Sequence, residues 1–156
     1  MKYAYGYKTA IGDVVIVEED GAITELFWET EKQPDGCVYR ETELLREAGR
    51  QLALYCEGRL LKFDLPLSPK GTEFQKAVWQ KLCEIPRGET RSYKQIAEAV
   101  GNPGACRAVG LANRNNPIPV IIPCHRVIGS DGKLVGFALG LENKRRLLEL
   151  EGADAG

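Results

Sequence analysis

The chain has 156 residues, of which 44% are hydrophobic and 28% charged, an ordinary composition for a soluble globular protein. No apolar run approaches the ~20 residues that a membrane-spanning helix needs, and residues 1–5 lack the apolar core of a signal peptide. We therefore expect a cytoplasmic protein, or a nuclear one if the source is eukaryotic. The net charge of −1 argues against a generic polyanion binder.

The first half of the chain has the pattern of a sheet with one helix. Short β-branched or aromatic runs at residues 3–7, 14–17 and 23–28 predict three strands separated by turns. Apolar residues at helical spacing then predict a helix that ends at Gly58, and residues 60–65 predict a further strand ended by Pro66. Nothing in this half indicates chemistry, so we predict a structural domain over residues 1–68.

A linker with two prolines and a glycine, residues 65–71, leads into a helical second half, residues 69–156. Thr72 with Gln75 predicts a capping box that begins one helix, and Ser92 with Gln95 predicts another that begins a second. Gly101 should end that second helix. Asn102 should then cap a third helix, with Pro103 at its first position. Two helices joined by a tight turn form the outline of a helix-turn-helix.

The predicted third helix, residues 104–114, indicates contact with nucleic acid. Arg107 and Arg114 lie seven residues apart on roughly one face, with the small Gly110 between them. Residues 87–126 hold 6 basic and 2 acidic side chains, a net charge of +4, whereas residues 1–70 have a net charge of −4. A basic site for a phosphate backbone and a merely solvated charged face both remain open at this point.

The single histidine of the chain, His125, directly follows Cys124. The five cysteines form no Cys-x-x-Cys pair, so neither a zinc site nor a disulfide framework is indicated. Alone, either residue is more often structural, but nearby positive charge from His125 and Arg126 would favour a reactive thiolate. Neighbours on an extended strand point to opposite faces, which favours a turn at Cys124 or a proton relay through water. A cysteine hydrolase fits poorly.

The residues around this pair resemble a known family. Asn-Pro-Ile-Pro-Val-Ile-Ile-Pro-Cys-His-Arg-Val-Ile at 116–128, with Gly-Lys-Leu-Val-Gly-Phe-Ala at 132–138 and Phe-Gln-Lys-Ala-Val-Trp at 74–79, is similar to the signature of the O6-alkylguanine-DNA alkyltransferases. The resemblance covers residues 72–152, and the first half matches that family only in size and pattern. It implies an α/β (α+β) fold: an N-terminal antiparallel sheet with a helix, ribonuclease H-like, then a winged-helix-like domain containing the helix-turn-helix.

The resemblance implies DNA repair by direct damage reversal. Cys124 would accept the alkyl group irreversibly from O6 of guanine, with O4 of thymine as an open alternative, so each molecule would act once. His125 would activate the thiol through a water, and Glu151 would orient the histidine, with Glu149 and Glu142 as weaker candidates. Asn116 would brace the site. No cofactor is implied, and no metal is expected, because the zinc of some members uses histidines that this chain lacks.

The resemblance also implies how DNA is held. The partner would be duplex DNA containing O6-alkylguanine, bound through the minor groove by a protein that is a monomer in solution. Arg107 would replace the flipped nucleotide in the stack and Tyr93 would contact the flipped guanine. Backbone groups at Cys124, Val127 and Ala138 would bind the guanine edge, and Arg114 would bind a phosphate.

Two points remain as expectations. Leu139 stands where the family usually has glycine, and we expect it to narrow the pocket against bulky adducts such as benzyl. The main rival function is a helix-turn-helix lesion sensor or regulator that binds DNA without chemistry.

Overall fold

The structure, a computed structural model, describes residues 1–129 and 140–153. It divides into two compact units, a first unit Met1–Lys70 and a second unit that begins at Gly71. In the described parts of the chain, no helix is long and apolar enough to cross a membrane.

The first unit is built on a four-stranded sheet with the order β3-β2-β1-β4. The three predicted strands are present as β1 (Lys2–Thr9), β2 (Gly12–Glu19) and β3 (Ala22–Trp28), paired antiparallel. The turn between β2 and β3 has positive φ at both Asp20 and Gly21, as a tight hairpin turn requires. Sequence analysis missed β4 (Cys37–Tyr39), a three-residue edge strand that runs parallel to β1.

Helix α1 (Glu43–Cys56) packs on this sheet, as the periodicity predicted. Thr42 caps it by accepting a hydrogen bond from the Leu45 backbone N–H. Gly49 lies against Tyr7 so closely that an added Cβ would come within 2.5 Å of the ring, which explains a glycine within the helix. Its apolar face, which is fully buried, consists of Leu45, Ala48, Leu52 and Tyr55.

The prediction of a strand at residues 60–65 is wrong. This segment is irregular, because its backbone bonds to a side chain of α1 instead of to a neighbouring strand. The Asp64 N–H donates to Gln51 Oε1 at 2.8 Å, and Gln51 Nε2 donates to the Asp64 carbonyl at 3.1 Å. Pairing resumes only afterwards, where the Ser68 N–H donates to the Ile23 carbonyl at 2.8 Å.

The second unit contains four helices in its described residues: α2 (Glu73–Cys83), α3 (Tyr93–Ala99), α4 (Cys106–Arg114) and α5 (Leu141–Leu150). Two short strands, β5 (Arg91–Ser92) and β6 (Val127–Ile128), pair in parallel. Both predicted capping boxes are present, and α2, α3 and α4 pack on one another.

The predicted beginning of the third helix is wrong. Asn102 does not cap it, and α4 begins at Cys106 without a side-chain cap. The Ala105 N–H instead donates to the Asn102 carbonyl at 3.0 Å, which closes a turn. Pro103 suits the second position of such a turn because its φ is fixed.

Candidate active site

The segment between α4 and the Cys124 turn is a tight loop held by one amide side chain. Asn116 Nδ2 donates to the Ile122 carbonyl at 2.9 Å, and its Oδ1 accepts from the Ile118 N–H at 2.9 Å. Within this loop Val120 has a φ of 75°, which is costly for a β-branched residue. Such strain persists only where surrounding bonds enforce it. Asn116 therefore fixes the direction in which the chain enters the site.

Cys124 and His125 lie in a 3₁₀ turn, Cys124–Arg126, and both side chains are fully buried. The sequence favoured either a turn at Cys124 or a proton relay through water, and the structure has a turn there. Successive side chains of a 3₁₀ helix diverge by about 120° around the axis instead of pointing to opposite faces. The thiol and the imidazole are therefore both buried, at adjacent positions of one turn.

A carboxylate at the end of α5 holds the imidazole. His125 Nε2 lies 2.9 Å from Glu151 Oε2, and Glu151 is buried. Arg126 donates to the same carboxylate from Nε at 3.0 Å and from Nη2 at 2.8 Å. A carboxylate held this way accepts from Nε2–H, which leaves the lone pair of His125 on Nδ1. Nδ1 is then the nitrogen able to accept a proton.

Burial controls the protonation of these groups. It lowers the pKa of His125 well below its ordinary value, helped by the charges of Arg126 and Lys144, so the imidazole is neutral at pH 7. Burial raises the pKa of the Cys124 thiol to about 11, opposed by a hydrogen bond with Asn116 and the charge of Lys144. The resting thiol is therefore protonated, and reaction requires a base to remove that proton.

Glu151 is subject to two opposing effects. Burial raises the pKa of its carboxyl group to about 8. The paired hydrogen bonds from Arg126 favour the charged carboxylate, because both donors are cationic and aligned. Arg126 is itself fixed by a 2.7 Å bond from Nη1 to the Ile85 carbonyl. We infer that Glu151 is ionised when it orients His125.

Lys144, a further charged group of the site, was not predicted from the sequence. Its side chain is fully buried in α5, and Nζ donates to the Val127 carbonyl at 2.6 Å. A signal for it was present: Lys144 stands four residues before Leu148 and seven before Glu151, in register with the buried face of α5. We overlooked it because lysine at such a position normally extends to solvent.

Helix α4 presents a basic surface on its outer side. Arg107 and Arg114 are exposed, and Leu111 between them is 57% exposed. Trp79 of α2 fixes the inner side of α4 by donating from Nε1 to the Ala112 carbonyl at 2.8 Å. The two arginines predicted to contact nucleic acid therefore share one accessible face.

Tyr93 lies at the first position of α3 and is half-buried. Its ring lies 3.9 Å from the position that a Cβ on Gly110 would occupy, so the small residue of α4 faces this tyrosine. Burial raises the pKa of Tyr93, opposed by a hydrogen bond with Asn113. The structure thus brings Tyr93 next to α4.

The remaining predicted site residues differ in whether the structure places them at the site. Glu142 and Glu149 are exposed on α5, so of the three candidate carboxylates only Glu151 meets His125. Ala138 and Leu139 lie outside the described residues. Within residues 1–129 and 140–153, no group of three or more histidine, cysteine or carboxylate side chains is placed to hold a metal ion.

Comparison with family models finds two adjoining matches. Residues 73–153 match the model described as 6-O-methylguanine DNA methyltransferase, DNA binding domain. Residues 1–69 match the model described as 6-O-methylguanine DNA methyltransferase, ribonuclease-like domain.

Characterised relatives and solved structures are similar over nearly the whole chain. The chain is 52% identical to the methylated-DNA–protein-cysteine methyltransferase of Methanosarcina acetivorans, over 98% of this chain and 99% of that protein. It is 46% identical to the constitutive enzyme of the same name from Bacillus subtilis, over 97% and 96%. The crystal structure of Mycobacterium tuberculosis O6-methylguanine methyltransferase has a TM-score of 0.89 and 43% identity, covering 97% of this chain and 93% of that one. The structure of Mycobacterium tuberculosis OGT in complex with DNA has a TM-score of 0.88 and 43% identity, over 96% and 92%.

Proposed function

This chain belongs to the 6-O-methylguanine DNA methyltransferase family, and we propose that it repairs alkylated DNA by moving the alkyl group from O6 of guanine to Cys124. The resemblance and the α+β fold predicted from the sequence are confirmed, and so is the activity, which its relatives carry in their names. DNA is the partner, as it is in the complex of a structural relative.

The assignment of Cys124 rests on its position next to His125. The His125 imidazole is neutral, and its Nε2 is hydrogen-bonded to the Glu151 carboxylate, which is ion-paired with Arg126. This is the arrangement that nucleophilic catalysis by a thiol needs: a nucleophile, a base and a group that orients the base. Of the described cysteines, Cys124 alone is fully buried in such a setting.

The chemistry follows from these positions. The thiol proton passes through a bridging water to Nδ1 of His125, and the resulting imidazolium is stabilised by Glu151. The thiolate attacks the alkyl carbon, the new S–C bond forms and the C–O6 bond breaks. The electron pair of the broken C–O6 bond goes to the guanine, which takes up one proton in exchange for the one that the thiol gave to His125 and remains in the DNA as an unmodified base. Water does not displace the thiolate from the thioether that forms on Cys124. The cysteine is therefore not regenerated, and each molecule acts once.

A buried thiol cannot reach a base inside the double helix, so the nucleotide must flip out. Arg107 fills the vacated place in the stack, and Tyr93 contacts the flipped guanine. Arg114 binds a phosphate. Small residues next to Arg107 let α4 enter the minor groove. The protein acts as a monomer and works in the cytoplasm, or in the nucleus of a eukaryote.

The guanine edge meets main-chain groups in this proposal. Backbone atoms of Cys124, Val127 and Ala138 bind it, although Ala138 lies outside the described residues.

Residues 69–156 form the DNA-binding and alkyl-acceptor domain. Residues 1–68 form the structural domain, because the polar side chains buried there bond within the fold.

A titration with a duplex that contains one O6-methylguanine tests this function. We expect one lesion removed per protein molecule, however long the incubation. Cys124→Ala should bind the same duplex and remove none. Repeated turnover would contradict the single-use chemistry. Tight binding by the unmutated protein without any repair would instead support the lesion sensor.

A further inference from the structure

Asn113 is a buried side chain in the last turn of α4, and none of the chemistry described so far uses it. It is 2% exposed, and its Nδ2 donates to the Cys124 carbonyl at 3.4 Å. Burial raises the pKa of Tyr93, and a hydrogen bond with the Asn113 side chain opposes that rise. A bond with this effect is one that the phenol oxygen accepts, because a donor stabilises the phenolate. The two N–H groups of the amide therefore hold the Cys124 turn and Tyr93.

The carbonyl oxygen of the same amide has no such bond. Oδ1 of Asn113 is buried, and it accepts no hydrogen bond from any residue in the described ranges 1–129 and 140–153. A buried acceptor without a donor is unfavourable and is rare in folded proteins. Asn116, three residues further on, shows the ordinary case, because its Nδ2 and its Oδ1 are both hydrogen-bonded within the loop. Asn116 braces the chain, whereas Asn113 keeps one acceptor for a donor from outside the fold.

The position of Oδ1 follows from the bonds that Nδ2 makes. Exchanging the two amide atoms would set an oxygen against the Cys124 carbonyl, where two acceptors repel one another, so the orientation of the amide is fixed. Oδ1 is bonded to the same carbon as Nδ2 and therefore lies next to the atoms of Cys124 and Tyr93 that Nδ2 contacts. Gly110, three residues before Asn113 on α4, also faces the Tyr93 ring. The proposed function assigns both Cys124 and Tyr93 to the flipped guanine, so the unfilled acceptor lies where that base enters.

An O6-alkylated guanine offers few donors to such an acceptor. The substituent on O6 leaves N1 without its hydrogen, and N9 is bonded to the sugar, so N1, N3 and N7 of the ring can only accept. The 2-amino group then carries both remaining N–H donors of the base. A hydrogen bond from the flipped base to Asn113 Oδ1 can come only from that group.

We propose that Asn113 is a specificity-determining residue whose Oδ1 accepts a hydrogen bond from the 2-amino group of the flipped O6-alkylguanine. The proposal rests on the proposed function, in which that base enters the site. A purine that lacks the amino group leaves Oδ1 buried and unpaired, and this penalty rejects it. Nδ2 holds the amide in position before the base arrives, so little conformational freedom is lost on binding. The site thus selects guanine among O6-alkylated purines.

Two duplexes that differ by one amino group test this contact. One contains O6-methylguanine and the other O6-methylhypoxanthine, the same base without the 2-amino group, each opposite cytosine in the same sequence. Single-turnover rate constants for methyl transfer to the protein are measured on both, and their ratio is compared between variants. Asn113→Leu has a side chain of similar size without polar atoms, and Asn113→Asp retains an acceptor oxygen. Asn115→Leu, exposed at the end of the same helix, is the matched control.

The expected result is a change in the ratio of the two rates. The preference of the wild type for O6-methylguanine should fall about tenfold in Asn113→Leu, because leaving one buried acceptor unpaired costs about that much. Both rates should also fall in Asn113→Leu and in Asn113→Asp, since each loses donors to the Cys124 carbonyl and Tyr93, but that loss affects the two duplexes alike. Asn113→Asp and Asn115→Leu should both keep the wild-type ratio.

An equal loss on both duplexes in Asn113→Leu would overturn the proposal and leave Asn113 as a donor that holds the Cys124 turn and Tyr93. If Asn113→Leu does not fold, Asn113→Asp decides the question, because a preference lost despite the retained acceptor would also overturn it. A wild-type protein that transfers no methyl group from O6-methylguanine would refute the proposed function. The affinities of the wild type and Asn113→Leu for the two duplexes, measured by gel shift, would then still test the contact, with the same change expected in their ratio.

Discussion

The two units of the chain bury polar groups for different purposes. The first unit buries Gln51, whose amide bonds both backbone groups of Asp64, and Glu18, which accepts from the Thr42 hydroxyl at 3.1 Å. The second unit buries His125, Lys144 and Glu151 in one region around a thiol.

The difference shows how buried polarity separates architecture from chemistry. A buried amide with all its bonds made stabilises a fold at little electrostatic cost. Buried ionisable groups are expensive, and their pKa values shift strongly, which is typical of sites whose reaction needs such shifts. Substitutions in the two units should therefore have opposite signatures: loss of stability in the first unit, and loss of rate in the second.

The largest expected effect is that of Cys124→Ala. Alkyl transfer should be abolished, because the proposed acceptor is removed, while binding to lesion-containing duplex remains. Transfer is measured by the conversion of O6-methylguanine to guanine within the duplex, and binding by gel shift. Cys37→Ala, on β4 of the first unit, is the matched control and should repair at the wild-type rate. Residual transfer by Cys124→Ala would mean that the acceptor lies elsewhere.

Glu151→Gln should lower the rate of transfer by roughly 100-fold, since positioned general bases contribute about that much or more. The amide cannot hold His125 in the required tautomer or stabilise the imidazolium. Single-turnover kinetics on a methylated duplex measure the effect. Glu149→Gln, exposed on the same helix, should change nothing. Loss of DNA binding in Glu151→Gln, with normal thiol reactivity, would show that the carboxylate has been assigned wrongly.

Arg107→Ala should slow repair of duplex DNA by about tenfold. The free energy behind a tenfold change is a fraction of the few kcal/mol that unstacking a base requires. Reaction with free O6-benzylguanine should change less than about twofold, because a free base needs no flipping. The comparison is the ratio of the two rates in each protein. Equal losses on both substrates would place Arg107 in the displacement step.

The smallest effect on activity should come from the first unit. Gln51→Ala removes both bonds to Asp64 and should lower the free energy of unfolding by about 1–3 kcal/mol. The rate of transfer at a temperature where the protein is folded should stay the same. Denaturant unfolding and single-turnover kinetics on one preparation check both. A slower reaction with unchanged stability would contradict the division between the units.

Local patterns made much of this fold predictable. The two capping boxes and the spacing of α1 depend on residues within one or two turns, so short sequence windows contain them. The strand predicted at residues 60–65 failed because the Gln51 side chain took its backbone bonds, a contact made 13 residues away. The edge strand β4 is too short for its pattern to be recognised.

The site divides in the same way. The turn at Cys124 was one of two alternatives that strand geometry left open, and the brace at Asn116 was implied by the resemblance. Glu151 came from the resemblance alone, because it lies 26 residues from His125. Lys144 has the spacing of the buried face of α5, but lysine normally extends to solvent. Its burial depends on α5 packing over the Cys124 turn.

The most direct test of the central claim is the intact mass of the protein after mixing with a duplex containing one O6-methylguanine, followed by peptide mapping. The account predicts the addition of a single methyl group, located on Cys124, with no further increase under excess DNA. An unchanged mass, or a methyl group on any other residue, would contradict it.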